Sequence, residues 1–424
     1  MSAARRMDFT LGQALFKRLW VTAPSTTQAA DGLGPLYNAR SCSSCHQRNG
    51  RGKPQDTNGN THRALILRLS IPTSAPISAS TPSALPDPLY GAQLQTAAIP
   101  GLSAEAQVHI TYHQHVITMA DNETVTLRTP HYEIQHLSQG PLHPNTHVSP
   151  RLAPALLGLG LLEAIPRSAL DALADPNDRD GDGISGRLNV VWSRVLQQEM
   201  PGRFGWKASA PSVNEQTQNA FFNDIGISVP LLPDGAGDCT AYQHTCQNAP
   251  TGNSPQYDDL EAHSMIVNLT TLYVSNLAVP KQRNPQDPSV LRAACHHPSF
   301  STTASALTTS TTSTTKTSHT SATHVSSNRI WPYTDLLLHD MGEGLADQHP
   351  KAHISDREWR TAPLWGIGLN AAVNGNQYYL HDGRARSLLE AILWHGGEAQ
   401  TARDTVITLT RSQRIDLIQF IHSL

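Results

Sequence analysis

The sequence predicts a mainly α protein in which two tandem modules are separated by irregular, loop-rich insertions. Three observations carry this expectation. Cys42-Ser43-Ser44-Cys45-His46 is echoed by Arg292-Ala293-Ala294-Cys295-His296. Each is followed by a block of the form R-x-A-P, a short apolar stretch and G-x-G: Arg151 to Gly160, then Arg360 to Gly368, the signature of an internal repeat. The chain closes on Ser412-Gln-Arg-Ile415-Asp-Leu417-Ile418-Gln-Phe420-Ile421, where a Ser N-cap precedes apolar residues at helical spacing.

The chemistry enters with the first motif. Two thiols three positions apart followed directly by an imidazole is the attachment signature of a c-type haem. Each thiol can add to one haem vinyl, and the adjacent His46 can ligate the iron from below. A redox Cys-x-x-Cys or half a zinc site leaves the immediate histidine without a role, and the chain has no second Cys-x-x-Cys to complete a zinc tetrad. In the second motif Arg292 stands where the first cysteine belongs. His296 can still ligate iron, while attachment falls to the single thiol of Cys295 or to none. Two haem c groups are therefore expected, the second singly tethered or non-covalent. A Ser-capped closing helix fits a cytochrome c fold, as it fits the end of many globular proteins.

Taken in order, residues 1–165 form the N-terminal haem module. It opens on MSAARRMDFTLGQALFKRLW, which lacks the apolar core of an export signal and reads as an amphipathic helix with Leu11, Leu15, Leu19 and Trp20 on one side. Covalent haem attachment requires an exported, oxidising compartment, so a periplasmic location is expected, with the leader not part of this sequence. Residues 166–285 form a bridging region. Within it, Asp178-Arg-Asp180-Gly-Asp182-Gly183 reproduces the first half of a calcium loop, with carboxylates at alternate positions and Gly at the sharp turn. Asn189 occupies the place of the closing Glu, leaving Asp175, Asn177 or a distant residue to finish the shell. Cys239 and Cys246 close a short loop and read as a structural disulfide, which the same compartment permits. Residues 286–424 form the C-terminal module, interrupted at 299–327 by a Ser/Thr-rich stretch whose composition predicts disorder.

Composition sets outer bounds. A chain of 424 residues with 38% hydrophobic content can bury two or three ordinary cores. A formal charge of -3 without a basic run argues against nucleic acid as a partner, and no apolar run is long enough to span a membrane.

The segments GLGPLYNARSCSSCHQRNGRG, SPRLAPALLGLGLLEAIP, DRDGDGISGRLN, GRFGWKAS, YTDLLLHDMGEGLAD, WRTAPLWGIGL and LHDGRARSLLEAILWHGGEA together resemble the di-haem oxidoreductase family of peroxidases, from about Leu11 to Leu424. That family is in turn similar to the bacterial di-haem cytochrome c peroxidases. The resemblance implies two cytochrome c-like domains, one haem taking up electrons with two protein ligands and the other opening a position to peroxide. On this chain it points to His296 and His395 as the ligands of a six-coordinate electron-transfer haem, with Met341 as the alternative to His395. It makes His46 the proximal ligand of the peroxidatic haem and places His143 and His147 where the related peroxidases carry a removable distal histidine. It also implies a calcium ion between the haems, which favours Asp178, Asp180 and Asp182. Peroxide cleavage needs a group that moves a proton between the oxygens, and Glu163, in the apolar setting GLLEAIP, is the candidate. Trp192 and Trp206 are candidate relays. The partners implied are peroxide or another small oxidant, and a small redox protein or quinol-linked donor. The contrasting function is a non-enzymatic electron-transfer or haem-sensing cytochrome, in which neither iron opens to a ligand.

Overall fold

Between the first haem motif and the first R-x-A-P block lie runs rich in β-branched and aromatic residues, in part alternating with polar ones, and these fold as strands. In the computed structural model, which describes residues 2–72, 84–296, 307–317, 320–347 and 354–424, Gln107–Thr118 pairs antiparallel with Thr124–Gln135 along its whole length. Leu65–Ser70 is the central strand of a three-stranded sheet, flanked by Gln93–Leu94 and His147–Leu152. The remaining strands make small two-stranded antiparallel sheets. With 31% helix and 20% strand, the chain is a mixed α and β protein, and the expected mainly α cytochrome c-like fold is corrected. The physical reason is the strand-forming stretch between residues 65 and 152, inside the expected N-terminal module, whose backbone groups must find partners and find them in neighbouring strands.

In the Ser/Thr-rich stretch, residues 299–306 and 318–319 lie outside the described residues; Leu307–Thr317 and Thr320–Ile330 pair as an antiparallel hairpin, where composition predicts disorder. The opening helix spans Ala3–Lys17 with Ser2 as N-cap. Its buried face is Gly12 and Phe16, while Leu11 and Leu19 are exposed. Gly12 lies against Leu269 of the helix Ser264–Ser275, where a Cβ would stand 2.1 Å from a backbone oxygen, so the two helices can pack closely only with glycine there. The closing helix Arg411–Ser423 is capped by Thr410, in a capping box with Gln413, two residues before the expected Ser412.

The internal repeat is structural. Gly158 and Gly366, the first glycines of the two G-x-G blocks, both adopt left-handed backbone (φ 64 and 75) and each begins a short helical turn. The blocks face one another: Trp365 packs on Gly158, Leu157 packs on Gly366, and the Trp365 indole donates to the Leu157 carbonyl at 3.2 Å. Trp206 ties them a second time. Its indole donates to Leu152 in the first block at 2.9 Å, and its carbonyl accepts from the Arg360 N–H in the second at 3.0 Å. The tip of the 107–135 hairpin reaches into the C-terminal core, where Met119 and Leu127 pack with Leu393, Trp394, Leu417 and Ile421. Arg414 of the closing helix donates to Asp121 at 2.6 Å and Glu123 at 2.5 Å in that tip.

Candidate functional site

The first haem motif is a single helical turn, Cys42–Cys45, with Ser41 as its N-cap. Ser41 Oγ accepts from the Ser44 N–H at 3.2 Å, which fixes where the two thiols point. Cys42 packs against two apolar clusters, one around Phe16 and Leu162, the other around Trp20 and Phe221. Cys45 touches the cluster of Leu65 and Leu152, and its thiol donates to the Arg63 carbonyl at 3.1 Å. The two sulfurs are not bonded to one another. Burial first, and the Asp224 carboxylate second, push the Cys42 thiol up to about 12 and raise Cys45 as well. A thiol–disulfide catalyst is favoured by a depressed thiol, and the burial of both sulfurs acts in the opposite direction.

His46 caps that turn and its Nδ1 meets the Pro154 carbonyl oxygen at 2.8 Å. A carbonyl can only accept, so Nδ1 carries the proton and Nε2 keeps its lone pair. Burial holds His46 down at about 4, against the pull of that hydrogen bond, so the ring is neutral. Pro154 is delivered over 108 residues of sequence by the sheet. Leu65–Ser70 follows the haem motif, pairs with His147–Leu152, and continues with the Ala153 N–H donating to Ala64. The donor set fits a c-type haem: two unpaired thiols, one neutral imidazole in the ligating tautomer, and apolar walls.

In the second module the helix Pro288–His296 carries Arg292, and the side chains of Cys295 and His296 lie outside the described residues. Arg292 donates twice to Asp416 of the closing helix, at 2.7 and 2.8 Å. His395 ends the helix Leu388–Trp394, and its Nδ1 meets the Ala391 carbonyl at 2.7 Å. It therefore shares the tautomer of His46, and burial lowers it. Met341 is its neighbour, since the Gly396 N–H donates to the Met341 carbonyl at 3.0 Å.

The other expected residues are placed as follows. Glu163 Oε1 accepts from the Val213 N–H at 2.8 Å, at the N-terminus of the helix Val213–Ala220, a use that anchors a helix end. His147 opens its strand, five residues before Leu152, which puts it about 17 Å along the strand from that end; His143 is exposed in the preceding turn. Neither is brought to His46. Asp178, Asp180 and Asp182 converge, with one carboxylate oxygen from each within 4.8 Å of the others. Asp175 is paired with Arg179 at 3.0 Å, and the buried Asn189 amide donates to the Lys207 and Ala208 carbonyls. Cys239 and Cys246 are joined in a disulfide.

Sequence reasoning missed a buried cluster between the two blocks. Asp347 receives Arg151 at 2.7 Å, Lys207 at 3.2 Å and Ser149 at 2.5 Å. Arg151 and Lys207 also stand 4.6 and 4.0 Å from the Trp359 ring centre, and His381 stacks on the same indole at 3.8 Å. Arg151 and Trp359 belong to or adjoin the repeated blocks, which is the only sequence signal the cluster gave.

A family model described as "Di-haem oxidoreductase, putative peroxidase" matches residues 1–424. No curated protein and no solved structure matches the chain. Among the described residues no helix is long and apolar enough to cross a membrane.

Proposed function

The chain belongs to the di-haem oxidoreductase family, and from that premise we propose that it is a periplasmic enzyme reducing a peroxide with electrons from a small redox protein or a quinol-linked donor. The observation that carries this reading is the His46 to Pro154 hydrogen bond. It holds one tautomer of one imidazole beside two thiols that form no disulfide, an arrangement that suits a haem iron held through Nε2. Bound here, haem c supplies one-electron exchange and, at one of two irons, a position that peroxide can occupy.

The protein's own part is positional. Cys42 and Cys45 would supply the thiols for two thioethers, and Pro154 keeps the proton of His46 on Nδ1, which leaves Nε2 free to ligate. Cys295 and His296 take the same roles in the second module, with one thioether because Arg292 offers no thiol. His395, its Nδ1 held by Ala391, is the second ligand there, and Met341 is the alternative. Trp206, which joins both repeated blocks, lies on the route between the modules. Asp178, Asp180 and Asp182 would hold calcium. The division into residues 1–165, 166–285 and 286–424 follows from this assignment.

The test is electron paramagnetic resonance of the haem-loaded protein, oxidised and half-reduced, together with peroxide-dependent oxidation of a reduced small redox protein. One high-spin iron and turnover are expected. Two six-coordinate low-spin irons in both states, with no turnover, would leave an electron-transfer or sensing cytochrome instead.

A further inference from the structure

The 107–135 hairpin carries more histidine than its packing uses. Its register sets His109 opposite Glu133, Thr111 opposite His131, His113 opposite Thr129 and His115 opposite Leu127. Alternate residues of a strand share a face, so these side chains line one side of the ribbon. The other side is anchored by buried Val108 and Ile110. Thr111, His113, Thr129, His131 and Glu133 are exposed.

His113 and His131 are diagonal neighbours across the two strands, with ring centres 6.4 Å apart and planes inclined by 63°. Among the described residues neither imidazole has a hydrogen-bond or charged partner. Both sit on paired backbone, which fixes their Cα atoms, and both are exposed, which leaves their χ angles free. Rotation of the two rings towards each other brings two nitrogens onto one ion at the usual distance of about 2 Å.

We propose that His113 and His131 together form a surface site for a divalent late transition-metal ion on this hairpin. Two imidazoles suit copper(II), zinc and nickel, and copper(II) binds such donors most tightly. The site is separate from the haem ligands. Its neighbour on the same face, His115, stands edge-on to Trp394 at 5.2 Å, so the ion would lie on the side of the hairpin that meets the second module.

The test uses the haem-loaded protein without a histidine tag, titrated with copper(II) in the presence of glycine as a weak competitor and followed by calorimetry and electron paramagnetic resonance. One site per chain is expected, with hyperfine structure from two nitrogens. His113→Ala and His131→Ala should each weaken it by at least about tenfold, since even outer-shell changes cost that much, while His244→Ala, in an exposed helix elsewhere, leaves it unchanged. Zinc should compete for the same site. A His113→Ala/His131→Ala double variant that binds copper(II) as tightly as the native chain would overturn the assignment, as would copper bound by a single nitrogen.

Discussion

At position 42 a thiol lies between two apolar clusters, whereas at the equivalent position 292 a half-exposed guanidinium turns to Asp416 of the closing helix. The surrounding repeat is otherwise kept: both G-x-G blocks use left-handed glycine at the same place and pack on one another. The difference teaches that the packing between the repeated blocks does not depend on a thiol at this position. Where the first motif has Cys42, the second has an ion pair between the helices Pro288–His296 and Arg411–Ser423, so on the proposed reading at most one thioether would tether the second haem.

The comparison breaks most completely at His46. His46→Ala removes the only described ligand of the first site, and haem per chain should fall by one, measured as the pyridine haemochrome against protein concentration. Next comes the cluster between the blocks. Asp347→Asn leaves Arg151 and Lys207 buried without their shared carboxylate, and loss of one partner of a buried charge network costs about 3–5 kcal/mol. Denaturant unfolding should show that loss; a change below 1 kcal/mol, to order of magnitude, would mean the cluster does not hold the modules together.

A smaller effect is expected from pH. His339 lies between Asp335 at 2.8 Å and Glu398 at 2.7 Å. Burial opposes its charge, but the two carboxylates prevail and raise it from 6.5 to about 9. Its contribution is therefore fully present below pH 6.5 and is lost as pH rises through about 9, an effect of about 3 kcal/mol. His339→Gln should flatten the stability profile across that window, and an unchanged profile would reassign it. The smallest structural effect belongs to Arg292→Cys, which removes a solvent-screened ion pair and restores the missing thiol. The thermal midpoint should move little while the haem absorption band shifts towards that of two saturated vinyls.

What could be read in advance followed the range over which each constraint acts. The family was legible because the Cys42-to-His46 spacing and the ordered blocks are local patterns. The R-x-A-P repeat was visible, but its use was not: that Pro154 holds His46 depends on a sheet whose strands lie between them. The same strands were overlooked because Val108, Ile110 and their partners lie within residues 1–165, a stretch assigned whole to a mainly α haem module. Asp347, Lys207, Trp359 and His381 meet across long separations, and nothing in their local sequence announces it. Glu163 looked catalytic from its apolar neighbours, yet its carboxylate is engaged by the N-terminus of a helix fifty residues on.

The central claim is that the first site anchors haem through two thioethers and the second through Cys295 alone. Haem per chain, measured by pyridine haemochrome before and after acid-acetone extraction, tests it directly. The account predicts two haems per chain, both retained on extraction, with a composite spectrum of one doubly and one singly saturated haem; a single haem per chain would contradict it and end the two-centre mechanism.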